Sequence, residues 1–395
     1  MHDKYKGWAR KHGLLCGIWE NGSEPTASPQ IILVAVESCT WDELKAYVTT
    51  LISLGRLTCI AVDEAHLLLK HECFRPCVNM LEYFGRMPMP ILLMIVTCPS
   101  KLEKELFSKL GQQIYVVLHC DTDQPEIAHR MIPVHSKDME KTFAGNILSF
   151  IQRNFGVEDH ALLFCWSHEE CDRMAELLGW EPYHVSISLD MWLDFKRMWI
   201  LGEILGMACT SMLNCCLDYP TVWAVFHLGP PRDTVNYYQA LSQAAQDGEP
   251  GYSIVYFDPS HLQATVDNPF GRSIIYDMLH DKSMCRWLHP VIFLDGVAVP
   301  CCMLLNAQLC DVCEADTACN PPEFGPQRFP SHLLPVLEPS PNQNASEVTT
   351  ASSRAPAQKA TLRHTITHPM HPATQSTNLP HQQLFETASL ECKLS

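Results

Sequence analysis

The sequence lacks any long apolar run, has few charged residues and carries a deficit of bases. Its longest apolar stretch, PILLMIVTCP, is too short to span a bilayer, so no membrane segment is expected. The opening MHDKYKGWARKHG is basic but has no apolar core of the kind that directs secretion. Charged residues make up 18% of the chain, and 28 Lys plus Arg stand against 44 Asp plus Glu, a formal charge of -16. A protein that grips a phosphate backbone by charge alone shows a basic surplus, so bulk charge gives no support to nucleic-acid binding. No internal repeat is evident.

What is present is enough apolar material for a substantial core. The chain has 395 residues, 47% of them hydrophobic, which predicts two folded domains and a small third one. The acidity and the thiols are unevenly spread. Residues 321–395 are neutral, so the whole of the -16 lies in residues 1–320, and Cys392 is the one cysteine of 19 that follows residue 321. An odd, irregularly spaced cysteine set fits a reducing, intracellular compartment, with most thiols buried as small hydrophobes and a few ligating metal.

Strand-like apolar runs occur at 31–36, 57–62, 91–96, 114–119, 161–165, 204–210, 222–228 and 252–257. Amphipathic helical stretches lie between them at 41–54, 101–110, 143–155, 169–178 and 233–246. Near-continuous apolar strands alternating with helices indicate parallel sheets covered on both faces, hence an α/β architecture of two doubly wound domains. A polar stretch at 121–141 reads as the linker between them. After Pro259 the chain becomes helical and cysteine-rich, and from about Asn320 its Pro, Ser, Thr, His and Gln content predicts a disordered tail.

The sharpest motif is LTCIAVDEAH, an apolar strand ending in Asp63, Glu64, Ala65 and His66. Carboxylates at the C-terminal tip of a buried parallel strand can hold a magnesium ion and orient a water. The alternative is an acidic, solvated strand-to-helix turn. A second apolar strand ends at Thr97, followed by a helical KLEKELFSKLG. Further on come ALLFCWSHEECDRMAELLGWEPYHVS and a segment from Lys196 that includes HLGPPRDTVNYYQALSQAAQDGEPGYSIVYFDP.

This ordered series resembles the RecQ family of superfamily 2 DNA helicases, in particular its divergent fungal members associated with chromosome ends. The resemblance runs from about residue 1 to Cys313. It implies a partial RecA-like domain at 1–135, a second RecA-like domain at 136–262, a zinc-binding subdomain at 263–319 and the tail at 320–395. It implies that Asp63 coordinates magnesium and that Glu64 polarises the water attacking ATP. His66 and Thr97 would couple the ATP site to DNA. The segment KHECFRP is similar to a shortened form of the family's aromatic-rich loop, which makes Phe74 and Arg75 candidates for touching single-stranded DNA; Phe74 also fits a core position. A nuclear location, a single-stranded or junction DNA partner, or a protein partner follow from the same resemblance, and no membrane partner does.

Several positions depart from the family pattern. No Gly-Lys-Ser/Thr phosphate loop occurs in the sequence, and by order of motifs Met1 falls after the place for one, as in an N-terminally truncated motor. Residues 212–218 replace both glycines of the family's fifth motif while keeping Asp218. The sixth motif, QALSQAAQDG, keeps Gln239, Asp247 and Gly248 but has Gln243 and Gln246 where the family has arginines. An arginine finger contributes ~10³–10⁵ in rate, and a neutral amide does not replace a guanidinium fork, so ATP hydrolysis is expected to be impaired. The alternative function is a non-catalytic DNA- or protein-binding scaffold.

Cys285, then Cys301 or Cys302, then Cys310-x-x-Cys313 resembles the family's zinc site. Four thiolates satisfy zinc at ~2.3 Å. The spacing from Cys285 fits Cys302 slightly better, and buried free thiols are the alternative. Trp166, Trp192, Trp199 and Trp223 read as core residues. If the phosphate-loop strand is missing, the strand at 91–96 should show an open edge or pair with 114–119.

Overall fold

A computed structural model describes residues 2–20, 25, 28–70, 80–111, 116–135, 138–156, 158–210, 221–262, 267–316 and 363–365. The first lobe runs through α1 (His2–Lys11), β1 (Cys16–Ile18), β2 (Ile31–Leu33), α2 (Asp42–Ser53), β3 (Ile60–Val62), α3 (Leu67–Lys70), α4 (Leu81–Gly85), β4 (Ile91–Leu93), α5 (Ser100–Lys109) and β5 (Val117–His119). Its strands pair as β1 with β2 and β3 with β4, both parallel. Among the described residues, β4 has no strand on its other edge, the first of the two expected outcomes. The lobe's core is divided into small clusters, one around Leu68, Leu106 and Leu110 and another around Trp19, Leu44 and Phe84.

The second lobe contains β6 (Ile127–Pro133), α6 (Met139–Asn154), β7 (His160–Phe164), α7 (His168–Leu178), β8 (Glu181–Tyr183), α8 (Leu189–Ile200), β9 (Gly206–Cys209), β10 (Val222–Leu228), α9 (Thr234–Leu241) and β11 (Gly251–Phe257). Its six strands are all parallel, in the order β6-β11-β10-β7-β9-β8. Every residue of β7, β9, β10 and β11 is buried, which is why these strands read as unbroken apolar runs. Ala161 and Leu163 face α6 and α7, whereas Leu162 and Phe164 face the opposite layer. The side chain of Ser167 caps α7 by accepting from the Glu170 N–H, and Gly179 ends it in the left-handed conformation.

The opposite layer is supplied by α9 together with α10 (Arg272–His280), α11 (Leu288–Asp295) and α12 (Asp311–Ala315). Trp287, Leu294 and the buried cysteines Cys285, Cys301, Cys310 and Cys313 share one continuous core with Ile127, Leu162 and Val225 of the sheet. β12 (Arg363–Thr365) pairs antiparallel with β5. The rest of the tail expected to be disordered lies outside the described residues. Among the described residues no helix is long and apolar enough to cross a membrane.

The linker reading of 121–141 is corrected. Within it, β6 is an edge strand paired over seven residues with β11, so the second sheet begins before residue 136. The polar residues that disguise it have partners inside the fold. His129 bonds to the Tyr237 hydroxyl at 2.9 Å, and Arg130 pairs with Glu314 at 2.7 Å.

Candidate nucleotide and metal sites

β3 delivers Asp63 and Glu64 to the carboxyl end of the first lobe's strands. Glu64 has φ of 50°, a left-handed conformation that a non-glycine residue adopts at a cost, and the next N–H, of Ala65, is tied to the carbonyl of Met94. Asp63 Oδ1 accepts from the Glu64 N–H at 2.9 Å, and its Oδ2 accepts from the Tyr5 hydroxyl of α1. Glu64 Oε2 lies 3.2 Å from Nδ1 of the buried His66 and accepts from Gln239 Nε2 at 3.3 Å. The same Gln239 amide lies 2.9 Å from His66 Nε2. An amide nitrogen can only donate, so in this arrangement His66 Nε2 is the acceptor.

Residues 173 positions apart therefore meet: Gln239 of α9 bridges the lobes at the acid pair. Lys70 adds a second crossing, 3.3 Å from the buried Asp233 that caps α9 and 5.2 Å from the Phe270 ring. The remaining sixth-motif residues point elsewhere. Gln243 Nε2 donates to the Gln239 carbonyl at 3.4 Å and Gln246 Nε2 to the Ser242 carbonyl at 2.9 Å, so both amides, in the turn that follows α9, bond back to its last turn and C-cap. Asp247 accepts from the Glu249 N–H in the following turn. Thr97 is buried, with its hydroxyl lacking a hydrogen-bond partner among the described residues. Phe74, Arg75 and Asp218 lie outside the described residues.

The cysteine cluster is the most complete constellation. Sulfurs of Cys285, Cys301, Cys310 and Cys313 all lie within 4.8 Å of one another, and all four residues are buried. The Cys285 and Cys310 sulfurs are 3.8 Å apart, which matches the edge of a tetrahedron with a centre-to-sulfur distance of ~2.3 Å. Cys310 caps α12 and Cys313 lies one turn inside it, so a single turn supplies two ligands. Backbone N–H groups of Cys301, Cys310, Cys313 and Arg286 point at ligand sulfurs at 3.3–3.5 Å. Hydrogen bonding from the Cys285 and Cys301 thiols, reinforced by the Arg286 and Cys313 N–H groups, holds the Cys310 thiol far below the ordinary range. Burial pushes Cys313 up. Four buried sulfurs within reach of one another, with backbone N–H groups aimed at them, form a donor set that a metal ion could occupy by displacing the thiol protons.

Cys302 is thereby corrected. The member of the cluster is Cys301, because the turn Cys301–Met303 directs the first of its two cysteines inward and leaves Cys302 half-buried outside the cluster. Behind the cysteines, Arg286 forks onto Asp311, Nε to Oδ1 at 2.8 Å and Nη2 to Oδ2 at 3.0 Å.

One feature escapes sequence reading. Trp166, expected in the core, is 37% exposed, because it follows β7 and lies beyond the sheet. Arg232 stands 5.1 Å over its ring and donates to its carbonyl, and its indole N–H is bonded to the Pro230 carbonyl. Trp166 and Arg232 flank a cleft floored by Phe164 and His227 at the carboxyl ends of β7 and β10, where the strand order reverses. Burial pushes His227 down to about 3, and its Nε2 has no hydrogen-bond partner among the described residues. Trp192, Trp199 and Trp223 lie in or against the core as expected.

No family model matches the chain. Curated relatives do. The chain is 25% identical over 251 residues to the putative ATP-dependent DNA helicase Q1 of Caenorhabditis elegans, covering 60% of this chain and 39% of that protein. It is 26% identical over 239 residues to the ATP-dependent helicase SGS1 of Saccharomyces cerevisiae, covering 58% and 16%. It is 24% identical over 222 residues to the human ATP-dependent DNA helicase Q4, covering 50% and 18%. The chain is similar to RecQ-type helicases. It spans well under half the length of these proteins. Among solved structures, the DEAD-box helicase Mss116 bound to ssRNA and UDP-BeF superposes with a TM-score of 0.52 at 15% identity, over 66% of this chain and 57% of that one. The fold is thus that of superfamily 2 helicase lobes, with the cysteine cluster packed on the second.

Proposed function

We propose that this chain is a DNA-binding RecQ-type core in which ATP hydrolysis is impaired, acting in the nucleus in recombination, repair or processes at chromosome ends. The observation that carries the impairment is the placement of Gln243 and Gln246. Both amides bond to backbone carbonyls at the end of α9, Gln239 and Ser242, where the family pattern has guanidinium groups that neutralise phosphoryl charge. The acid pair is likewise engaged by protein donors, Asp63 by Tyr5 and Glu64 by Gln239. DNA binding is supported by the Trp166–Arg232 pair, because an exposed indole with a stacked cation is a platform for unpaired bases. The metal in the cysteine cluster is zinc on this reading, since an all-thiolate tetrahedron suits it, and its role is structural.

A scaffold that contacts DNA or a protein without catalysis is the second reading, supported by the Gln239 bridge, which ties the lobes directly at the acid pair. Two measurements on the 395-residue chain separate these readings. ATP turnover with and without single-stranded DNA should be absent or very slow; robust DNA-stimulated turnover would overturn the impairment. Fluorescence anisotropy with a labelled single strand should report binding that weakens in Trp166→Ala, and no binding at any salt concentration would leave the protein-scaffold reading in its place.

A further inference from the structure

The metal-binding layer meets the first lobe at one carboxylate. Asp295, the last residue of α11, has a side chain only 4% exposed. Its Oδ1 lies 3.0 Å from His119 Nε2 at the end of β5, and its Oδ2 accepts both the N–H and the hydroxyl of Thr122 at 2.9 Å. Ser100, which opens α5, adds a bond from its hydroxyl to the Leu294 carbonyl at 3.3 Å. Two elements of the first lobe and the loop after β5 therefore converge on the end of one helix.

The charges around this junction are lopsided. Glu103 of α5 and Asp121 and Asp123 of the loop face it in addition to Asp295, and Arg363 is the register partner of His119 on β12. Asp123 Oδ1 is buried with no hydrogen-bond partner among the described residues. A single imidazole thus stands among several carboxylates, and its charge decides whether Asp295 forms a neutral hydrogen bond or an ion pair at its buried end.

We infer that His119, Asp295 and Thr122 form a proton-operated latch, which clamps α11 and its cysteine layer onto the first lobe when His119 is protonated and loosens when that proton leaves. The titration behaviour of the neighbours runs in one direction. The hydrogen bond to Asp295 raises His119 above its ordinary value, against the effect of burial, with Glu103 and Asp121 adding to the rise. Burial, then Asp295 and Asp121, raises Asp123 to about 6, and burial raises Glu103. All three groups hold protons more tightly in the docked arrangement. Docking is therefore strongest in acid, is weakened as Asp123 ionises towards pH 6, and loses the His119 contribution as pH rises through that residue's raised value.

Hydrogen exchange of the full chain at pH 6 and pH 8, corrected for intrinsic rates, tests the latch. Amides of α5, β5 and the 121–124 loop should lose protection at pH 8 relative to pH 6. Amides of β7 and β10 should not change. Asp295→Asn should abolish the difference, and His119→Gln, a milder change, should remove most of it. Equal protection of the junction at both pH values in the unmodified chain would overturn the inference, as would an undiminished pH response in His119→Gln.

Discussion

Arg286 and Asp311 each follow a cysteine of the buried cluster in sequence, and the guanidinium of one grips both carboxylate oxygens of the other. The two halves of the cysteine cradle, 25 residues apart, are thereby tied together by a bond that involves no sulfur. Asp311 Oδ2 also lies within reach of the Met131 N–H in β6, which anchors the pair to the sheet. Both side chains are largely buried. Asp311→Ala leaves a buried guanidinium without its carboxylate and should cost about 3–5 kcal/mol in denaturant unfolding. Arg286→Lys keeps the charge, loses the fork, and should fall between the two.

The choice between adjacent cysteines can be checked by metal content. Cys301→Ser should lower bound metal well below one equivalent after dialysis, because it removes a sulfur from the cluster. Cys302→Ser should retain the full equivalent. The opposite pattern would restore the spacing-based choice.

Acid should destabilise the second lobe through His227. Burial lowers this residue to about 3, so the folded protein keeps it neutral while the unfolded chain takes up a proton below about pH 6.5. The unfolded state binds more protons there, so stability falls as pH drops, by about 2 kcal/mol between pH 7 and pH 5 from this group. His160, lowered mainly by burial, acts in the same direction. Urea midpoints across that range measure the slope, and His227→Gln should flatten it.

Gln239 should act as a fastener between the lobes. Gln239→Ala removes the amide that reaches both Glu64 and His66 and should cost about 1–2 kcal/mol. Gln239→Glu should cost more, since it sets a second carboxylate against Glu64. Thermal unfolding of the two variants ranks them, and equal midpoints would show that the bridge carries no charge preference.

The second sheet was legible wherever its strands are buried on both faces: β7, β10 and β11 read as apolar runs, and their parallel pairing follows from the intervening helices. β6 was not, because IAHRMIP mixes His129 and Arg130 into an edge strand whose polar groups find partners more than a hundred residues away. The acid pair was readable as a motif, yet its attachment to Gln239 depends on how two lobes meet, which no local pattern encodes. Cysteine spacing identified the cluster but not its second member, since the direction of a three-residue turn separates Cys301 from Cys302. Trp166 read as core because its neighbours are apolar, although it lies two residues past Phe164, the last residue of β7.

The continuous interior shared by the cysteine layer and the second sheet bears on how the molecule can be divided. A cut placed in the connection between β11 and α10 would seem natural from sequence, where a strand pattern gives way to a helical one. It would strip α10, α11 and α12 from the cover over Ile127, Leu162 and Val225 and leave that face of the six-stranded sheet protected only by α9 and by Trp199 of α8. The smallest piece able to fold alone is therefore one that keeps β6 through α12 together, and a fragment ending at Phe257 should be recovered mainly as aggregate.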